Sequence, residues 1–426
     1  MRLTKSLGHV LALAALLLAV SLPVQGSGFA LYEHGAKSMG MAGAFAAQAD
    51  DGSAMFFNVA GLGFIKDKQY MGGVTLITST TADFDGLPPF PGSVSDEQES
   101  AIFVVPHAYL VRPVNDSWTF GVGINSPFGL ATEWDDDWVG RFVSVRAELR
   151  VIDTNFALGW EVDDTFSLGI SGIVRYSDVE LVRHVGIINP FSQSLADVAR
   201  VKLEGGFDEG YGWTAGLMWR PTSEFSLGVS YRSKIDVDYS GEGVFTQIPT
   251  GNPFFDGAVA ASIPFGQDLP ARTTINFPDQ AFFAFGYHIT SNFYVELDIN
   301  WNGWSSFQDV RLDFPENPEF SSVIPENYDD AYKYMLGFRF DQGSHQWRFG
   351  VLLDETGQPE ESVGPLLPDA DRLGFTIGYG TQRFDIAYMY LLFDERTSLT
   401  NNDAFYGTYD TTAMLLAASV KFGGGH

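Results

Sequence analysis

The chain has 426 residues and no cysteine, and its 53 acidic residues outnumber 25 basic ones, giving a formal net charge of −28 at pH 7. The lack of cysteine excludes a disulfide scaffold, thiolate metal sites and cysteine nucleophiles. The excess of acid argues against a nucleic-acid partner, because phosphate binding requires Lys and Arg. Hydrophobic residues make up 45% of the chain and aromatic residues 15%, which is typical of a wall that faces lipid between aromatic girdles.

The first 26 residues have the pattern of a secretion signal and are predicted to be removed. Arg2 and Lys5 precede an uninterrupted apolar run, residues 10–20, and the small residue Gly26 is suited to cleavage. The run is too short for a membrane-spanning helix, which needs about 20 apolar residues. The mature chain is therefore expected to begin at Ser27.

Residues 27–66 differ from the rest of the chain, because glycine and alanine crowd an apolar stretch that lacks a strand pattern. Small residues let backbones pack closely, and burial must offset the entropy that they lose on folding. The segment is predicted to form a hatch inside a barrel; the alternative is a flexible tail, but its aromatic residues are too apolar for water. Its candidate lining residues for a hydrophobic ligand are Phe29, Leu31, Phe45, Phe56 and Phe57. Each of them could equally pack the hatch against the wall.

From residue 67 to residue 422 the sequence alternates between apolar and polar positions. Phe166, Leu168 and Ile170, for example, are interleaved with Ser167 and Ser171, as expected when successive side chains of a strand point to opposite faces. A soluble sandwich also alternates, but its strands average only about 5–6 residues, and many of these runs are longer. The apolar face is also the aromatic one.

The sequence therefore predicts an all-β fold, an antiparallel transmembrane β-barrel of about 14 strands. The barrel must close, because lipid cannot form hydrogen bonds with the backbone of an open sheet edge. The predicted strands lie near residues 68–82, 100–112, 116–126, 144–161, 165–183, 198–219, 223–246, 271–288, 291–313, 328–342, 345–354, 371–381, 383–395 and 411–422.

The third predicted strand and the residues after it have a composition that weakens a strand. The residues that weaken it are Gly121, Gly123 and Pro127, and the predicted opening also includes Asn125 and Phe128. Glycine destabilises a strand and proline cannot donate to the hydrogen-bond ladder, so a lateral gap in the wall is predicted here. An ordinary strand end at a turn is the alternative.

Several motifs resemble the FadL family of outer-membrane channels, which take up long-chain fatty acids or hydrophobic hydrocarbons. Ser27-Gly28-Phe29 resembles the family's mature start, and Asn58-Val59-Ala60 resembles its Asn-Pro-Ala hatch motif, with Val59 in place of the proline. Further patterns follow in the family's order at residues 125–133, 231–233, 304–307, 330–333 and 367–372. The resemblance implies a fourteen-stranded barrel, an N-terminal hatch, a hydrophobic pocket and sideways exit of the ligand beside a kinked third strand.

The resemblance also implies basic residues for the head group of a fatty acid. One of the family's two such residues aligns with Arg183, whereas the other falls near Ile324, where this chain has no basic residue; Lys333 and Arg311 are the nearest substitutes. A carboxylate ligand needs a cation, so this departure leaves room for neutral or aromatic hydrocarbons. Arg183 could instead be an ion-pair partner in the lumen or loops.

The predicted function is passive, selective uptake of a hydrophobic compound through the bacterial outer membrane, with the hatch as the gate. A general diffusion porin and a structural or adhesive barrel are the alternatives. No Gly-x-Ser-x-Gly elbow occurs and the histidines lack metal-ligand spacing, so no enzyme, cofactor or metal is expected. Besides the ligand, the expected partners are outer-membrane lipid, lipopolysaccharide and the barrel-assembly machinery, which would read Phe422 ahead of the tail 423–426. The barrel is expected to be a monomer.

Overall fold

The structure, a computed structural model, describes residues 28–423, except for the side chains of residues 79–81. The predicted signal peptide, Ser27 and the last three residues lie outside this range. The described chain forms a large antiparallel sheet that closes on itself as a fourteen-stranded barrel, and a separate two-stranded sheet in one of the connections. The predicted fold class is thereby confirmed.

The described chain has twenty-one strands and several short helices. The strands are β1 (Gln69–Gly86), β2 (Ser95–Glu97), β3 (Ile102–Pro113), β4 (Trp118–Asn125), β5 (Gly129–Glu133), β6 (Arg146–Asp163), β7 (Phe166–Ile188), β8 (Leu195–Trp219), β9 (Phe225–Arg232), β10 (Ile235–Gln247), β11 (Asp268–Phe277), β12 (Gln280–Thr290), β13 (Phe293–Asn302), β14 (Asp309–Leu312), β15 (Ser322–Pro325), β16 (Ala331–Gln342), β17 (His345–Asp354), β18 (Arg372–Gly380), β19 (Phe384–Phe393), β20 (Arg396–Ser398) and β21 (Gly407–Gly423). The α-helices are Ala36–Met39, Ala54–Phe57 and Pro253–Ser262, and the 3-10 helices are Val59–Phe64, Trp304–Ser306, Pro318–Phe320 and Glu360–Ser362. Between residues 28 and 423, none of these helices is long and apolar enough to cross a membrane.

The barrel closes where β1 pairs with β21, from Gln69 opposite Gly423 to Gly86 opposite Gly407. Three wall strands are interrupted: β4 continues as β5, β9 as β10, and β11 as β12. Four short strands, β2, β14, β15 and β20, belong to the long connections at one end. The other end has tight turns such as residues 164–165. Bacterial barrels show the same contrast between a periplasmic end with short turns and an outer end with long loops.

Two features differ from the predicted pattern. The strand predicted at 291–313 ends at Asn302, because the chain turns at Gly303 into the helix Trp304–Ser306. The connection between β10 and β11 contains the ten-residue helix Pro253–Ser262. Asn252 caps it, because its side-chain oxygen accepts hydrogen bonds from the first backbone amides.

Side chains on the wall alternate between the outer surface and the interior. On β7, Ile170 is 57% exposed whereas the next residue, Ser171, is 2% exposed. On β12, Phe283 is exposed and Phe282 is buried. The apolar and aromatic face points outward, as predicted, and the small or polar face lines the interior.

The interior is filled by the N-terminal segment, which we define as residues 28–66. Its helix Ala36–Met39 packs on β18, β19 and β21, and its helix Val59–Phe64 packs on β4, β6, β7 and β8. The backbones approach closely because the inner wall carries glycine at the contacts. A Cβ atom on Gly169 would lie 2.5 Å from the Ala60 amide nitrogen, and one on Gly228 would lie 2.2 Å from the Ala46 carbonyl oxygen. Small residues on both surfaces thus permit a tight fit.

Candidate functional site

The predicted hatch motif, Asn58-Val59-Ala60, connects the N-terminal segment to the wall. Asn58 Nδ2 donates to the carbonyl oxygens of Ala46, at 2.9 Å, and Leu217 of β8, at 3.0 Å. Its Oδ1 accepts from the Ala60 amide at 3.2 Å, which caps the helix Val59–Phe64. The Ala60 carbonyl accepts a 2.6 Å hydrogen bond from Ser167 Oγ. All three motif residues are buried, and their contacts give them an anchoring role.

Two wall carboxylates hold the middle of the N-terminal segment. Asp298 Oδ2, on β13, accepts the backbone amides of Phe45 and Ala46, both at 2.9 Å. Glu296 Oε1 accepts those of Ala47, at 2.6 Å, and Gln48, at 3.3 Å. Both side chains are fully buried, where a carboxylate is tolerated only if it is paired or hydrogen-bonded. Neither carboxylate was predicted from the sequence to have this role.

Phe29, the first predicted lining residue, lies in a buried group of aromatic side chains that we call the Phe29 cluster. Its ring centroid is 4.7 Å from that of Trp304, 5.5 Å from Phe307, 6.0 Å from Phe128 and 6.1 Å from Phe277, always edge to face. Each such edge-to-face contact contributes stability in addition to that from the burial of apolar surface. Side chains from the wall and from the loop after β13 therefore form an aromatic cage around the Phe29 ring.

The other predicted aromatic residues, Phe45, Phe56 and Phe57, form a second buried group with Tyr32 and Phe282, the Phe56 cluster. Phe56 and Phe57 lie 5.0 Å apart, and each lies 6.1 Å from Phe282 on β12. The structure thus brings all the predicted aromatic residues into the interior. It adds wall partners that the alternation pattern could not single out.

The hydrogen-bond ladder of the third strand is continuous through Gly121 and Gly123. Both residues pair with β3 on one side and with β6 on the other. A Cβ atom on Gly121 would lie 2.5 Å from Met55 Cε of the N-terminal segment, and one on Gly123 would lie 2.6 Å from Tyr109 Cδ1. These glycines make room for packing, and the interruption of the strand begins only after Asn125.

The interruption itself follows from one extra residue. Asn125 pairs with Asp153 and Gly129 pairs with Arg150, so residues 126–128 of the third strand stand opposite only residues 151–152 of β6. This is a β-bulge, which bends a strand and stops its pairing locally. On the other side, β3 pairs with β4 only as far as Ala108 opposite Ile124. Pro106, which has no amide proton to donate, lies just beyond that pair.

The N-terminal segment pairs with this interruption from the inside. The Leu31 amide donates to the Pro127 carbonyl oxygen at 2.8 Å, and the Gly129 amide donates to the Phe29 carbonyl oxygen at 3.0 Å. Ala30 and Phe128 consequently face each other in an isolated antiparallel bridge. The predicted lateral residues and the predicted lining residues Phe29 and Leu31 therefore belong to one structural unit.

Arg183 lies on β7 and is partly buried. Within residues 28–423 it has no carboxylate oxygen within 4.0 Å, although Asp403 is close enough to interact electrostatically. Glu326, in the outer loop after β15, also interacts electrostatically with Asp403. Burial and that neighbouring negative charge raise the pKa of Glu326 to about 8. Acidic groups therefore share the outer part of the barrel with Arg183.

A buried ion-pair group between β6, β7 and β9 was missed by sequence reasoning. The Arg175 guanidinium bonds both oxygens of Asp153, at 2.7 and 2.9 Å, and Arg232 Nη1 lies 3.3 Å from Asp153 Oδ2. Arg175 stacks over Phe128 and Phe277, and Arg232 stacks over Phe56, with distances of 4.6 to 4.8 Å to the ring centroids. The group therefore joins the Phe29 cluster to the Phe56 cluster.

A polar cavity of about 510 Å³ lies under the N-terminal segment at the end with tight turns. Gln48 lines it together with Arg220 and Arg339, both of which donate hydrogen bonds to Gln48. Most of the side chains that line this cavity are charged or polar, whereas the Phe29 cluster and the Phe56 cluster consist of aromatic rings.

Comparison with known proteins identifies the chain's relatives. The family described as "Outer membrane protein transport protein (OMPP1/FadL/TodX)" matches residues 17–423. The "Long-chain fatty acid transport protein" of Escherichia coli O6:H1 is 23% identical, with 86% of each chain covered. A Pseudomonas aeruginosa FadL homologue has a similar fold, with a TM-score of 0.82, 22% identity, and 93% of this chain and 99% of the homologue covered. The P. putida toluene transporter TodX follows with a TM-score of 0.69, 15% identity, and coverage of 93% and 100%. The chain therefore belongs to the FadL/TodX family of outer-membrane transport proteins.

Proposed function

We propose that this chain is a passive, selective channel through which hydrophobic compounds enter the cell across the outer membrane. Family membership supports outer-membrane transport. One relative is named for long-chain fatty acids and another for toluene, so both fatty acids and neutral or aromatic hydrocarbons are candidate substrates. We assign the chain no enzymatic activity, in line with a family of transport channels.

The observation that carries the gating mechanism is the pairing of residues 29–31 with residues 127–129. We infer that residues 27–66 act as a hatch and that the bulge at residues 126–128 is a lateral exit. When residues 28–31 withdraw, the Phe29 ring leaves its aromatic cage and the same movement frees the interrupted strand. An incoming apolar ligand can replace that ring, because each Å² of apolar surface removed from water contributes about 25 cal/mol.

A lateral path suits an apolar solute better than a straight one. The cavity beneath the N-terminal segment is polar, so a hydrophobic ligand moving that way would have to cross water. An exit at the bulge leads from an aromatic interior to lipid. A general porin fits the interior less well, because the hatch fills the lumen that a diffusion pore needs open. A structural or adhesive barrel does not require the Phe29 ring to move.

Deleting residues 27–57 tests this proposal. We expect the barrel to lose its selectivity and to let small sugars through, because removing these residues takes away most of the segment that occupies the lumen. Swelling of proteoliposomes in a small sugar measures the leak, with the intact chain as the control. An adhesive barrel predicts unchanged uptake of hydrophobic compounds by cells that carry the deleted form, and that result would refute a gating role.

We also propose that lipopolysaccharide contacts the outer surface of β6, β7 and β8. Just above the stacked aromatic pair Tyr176 and Phe207, at 5.8 Å, outward-facing charges form ion pairs across the three strands. Arg146 on β6 lies 3.4 Å from Glu180 on β7, and Lys202 on β8 lies 3.1 Å from the same side chain. Exposed ion pairs contribute only about 0–1 kcal/mol each, so these cations can exchange their carboxylates for lipid phosphates.

A further inference from the structure

Arg232 is a buried cation whose hydrogen-bonding capacity is only partly used. Its side chain is 2% exposed, and Asp153 is the only carboxylate within 4.0 Å of it in the described part of the chain. Asp153 already forms two short hydrogen bonds with Arg175. Two guanidinium groups therefore share one carboxylate, which leaves a net positive charge in the buried interior.

The donors of Arg232 that face away from Asp153 have no partner. Neither Nε nor Nη2 has a hydrogen-bond partner among residues 28–423. An arginine with two unused donors is unusual at this depth, because each unsatisfied buried polar group costs about 1–3 kcal/mol. A planar fork of N–H groups matches the two oxygens of a carboxylate.

Other unused polar atoms occur on the same part of the inner wall. Thr214 stands opposite Arg232 in the sheet, and its Oγ1 has no partner. Asn125, opposite Asp153, has an unpartnered Nδ2, and its Oδ1 accepts from Asn155 at 3.1 Å. Among the described residues, this patch therefore has spare donors on Arg232, Asn125 and Thr214.

The patch lies at the inner edge of the proposed exit. Asn125 is the last residue of β4 before the bulge at residues 126–128. Arg232 stacks on Phe56 and Arg175 stacks on Phe128, so both aromatic clusters border the patch. A ligand with a polar end here would have its apolar tail among aromatic rings.

We propose that Arg232, assisted by Asn125 and Thr214, binds the carboxylate of a long-chain fatty acid on its way to the lateral exit. This inference rests on the proposed function and specifies its substrate class: an amphipathic acid in preference to a purely neutral hydrocarbon. It assigns to Arg232 a role that the sequence comparison gave to Arg183. Arg183 lies on the outer part of β7, so it can serve at most an earlier step.

The test compares a long-chain fatty acid with its methyl ester, which has the same tail and no charge. We expect Arg232→Gln to weaken binding of the acid about tenfold or more, as the loss of a charge-assisted hydrogen bond does, and to leave the ester unchanged. Arg348→Gln is the matched control, because Arg348 is also buried and ion-paired, to Asp385 at 2.7 Å, but on β17. Binding to the purified full-length barrel is measured by titration calorimetry.

Each outcome decides the proposal. Selective loss of acid binding in Arg232→Gln supports it. Equal loss of both ligands, an unchanged affinity for the acid, or the same selective loss in Arg348→Gln would overturn it, as would a selective loss seen only in Arg183→Ala. Heat-modifiable mobility in gel electrophoresis shows whether each variant barrel is folded. If the unaltered chain binds neither ligand, the proposed function itself fails, which is distinguishable from failure of the Arg232 site.

Discussion

A disulfide between positions 30 and 128 is expected to reduce uptake of hydrophobic compounds to the level of cells that lack the chain. The variant carries Ala30→Cys and Phe128→Cys in a background without any other cysteine. The bond fastens the N-terminal segment to the strand interruption, so residues 28–31 cannot withdraw. Uptake of a radiolabelled fatty acid by whole cells is the measurement, before and after reduction.

The backbone geometry favours this disulfide. The two flanking hydrogen bonds, from Leu31 to Pro127 and from Gly129 to Phe29, make Ala30 and Phe128 a non-hydrogen-bonded antiparallel pair. Such pairs have Cα atoms about 4.5 Å apart, which lies within the range of roughly 4.4–6.8 Å that disulfides span. No large backbone movement is needed to form the bond.

Reduction supplies the control within the same protein. Adding a membrane-permeant reductant should restore uptake to the level of the Phe128→Cys single variant, which corrects for the lost aromatic ring. The gating account is wrong if the oxidised and reduced forms transport equally well.

Deleting Pro127 is the second change with a large expected effect. It removes the extra residue, so Asn125 opposite Asp153 and Gly129 opposite Arg150 come into one continuous register. The side chains of the third strand keep their inward and outward directions, because Asn125 still points inward and Gly129 still stands opposite the outward Arg150. We expect the bulge to close and uptake to fall to background, while binding of the ligand to the purified barrel persists.

Pro127→Ala is the matched control for this deletion. It removes the proline ring but keeps the extra residue, and therefore keeps the bulge. We expect it to retain most of the uptake. If the deletion variant transports as well as the substituted one, the interruption of the third strand is not the route.

The sequence specified the wall well for a physical reason. A strand in lipid must present an apolar face outward, and a single-residue slip would exchange the faces, so alternation marks each strand and its register. Phe283 and Ile170 point outward as their positions in the pattern require. The predicted strand count is confirmed. The strand error at 291–313 arose because Trp304 and Phe307 are apolar, but they serve the interior and not the lipid face.

The interior was less predictable, because its contacts join residues far apart in the chain. Nothing local to Asp298 indicates that it accepts the amides of Phe45 and Ala46. The pairing of residues 29–31 with 127–129 joins residues nearly one hundred positions apart. Arg232 looked like an ordinary inward-facing residue of a strand, and only its packing between Asp153 and Phe56 makes it unusual. Glycines on the inner wall were a usable signal, since they mark close approach.

Photo-crosslinking with a diazirine-labelled fatty acid, mapped by mass spectrometry, tests the central claim most directly. The account predicts adducts on the Phe29 cluster and on residues 126–128 of the third strand. It predicts none in the polar cavity lined by Gln48, Arg220 and Arg339. Adducts concentrated in that cavity, with none at the third strand, would mean that the compound passes straight through the barrel and would contradict the lateral exit.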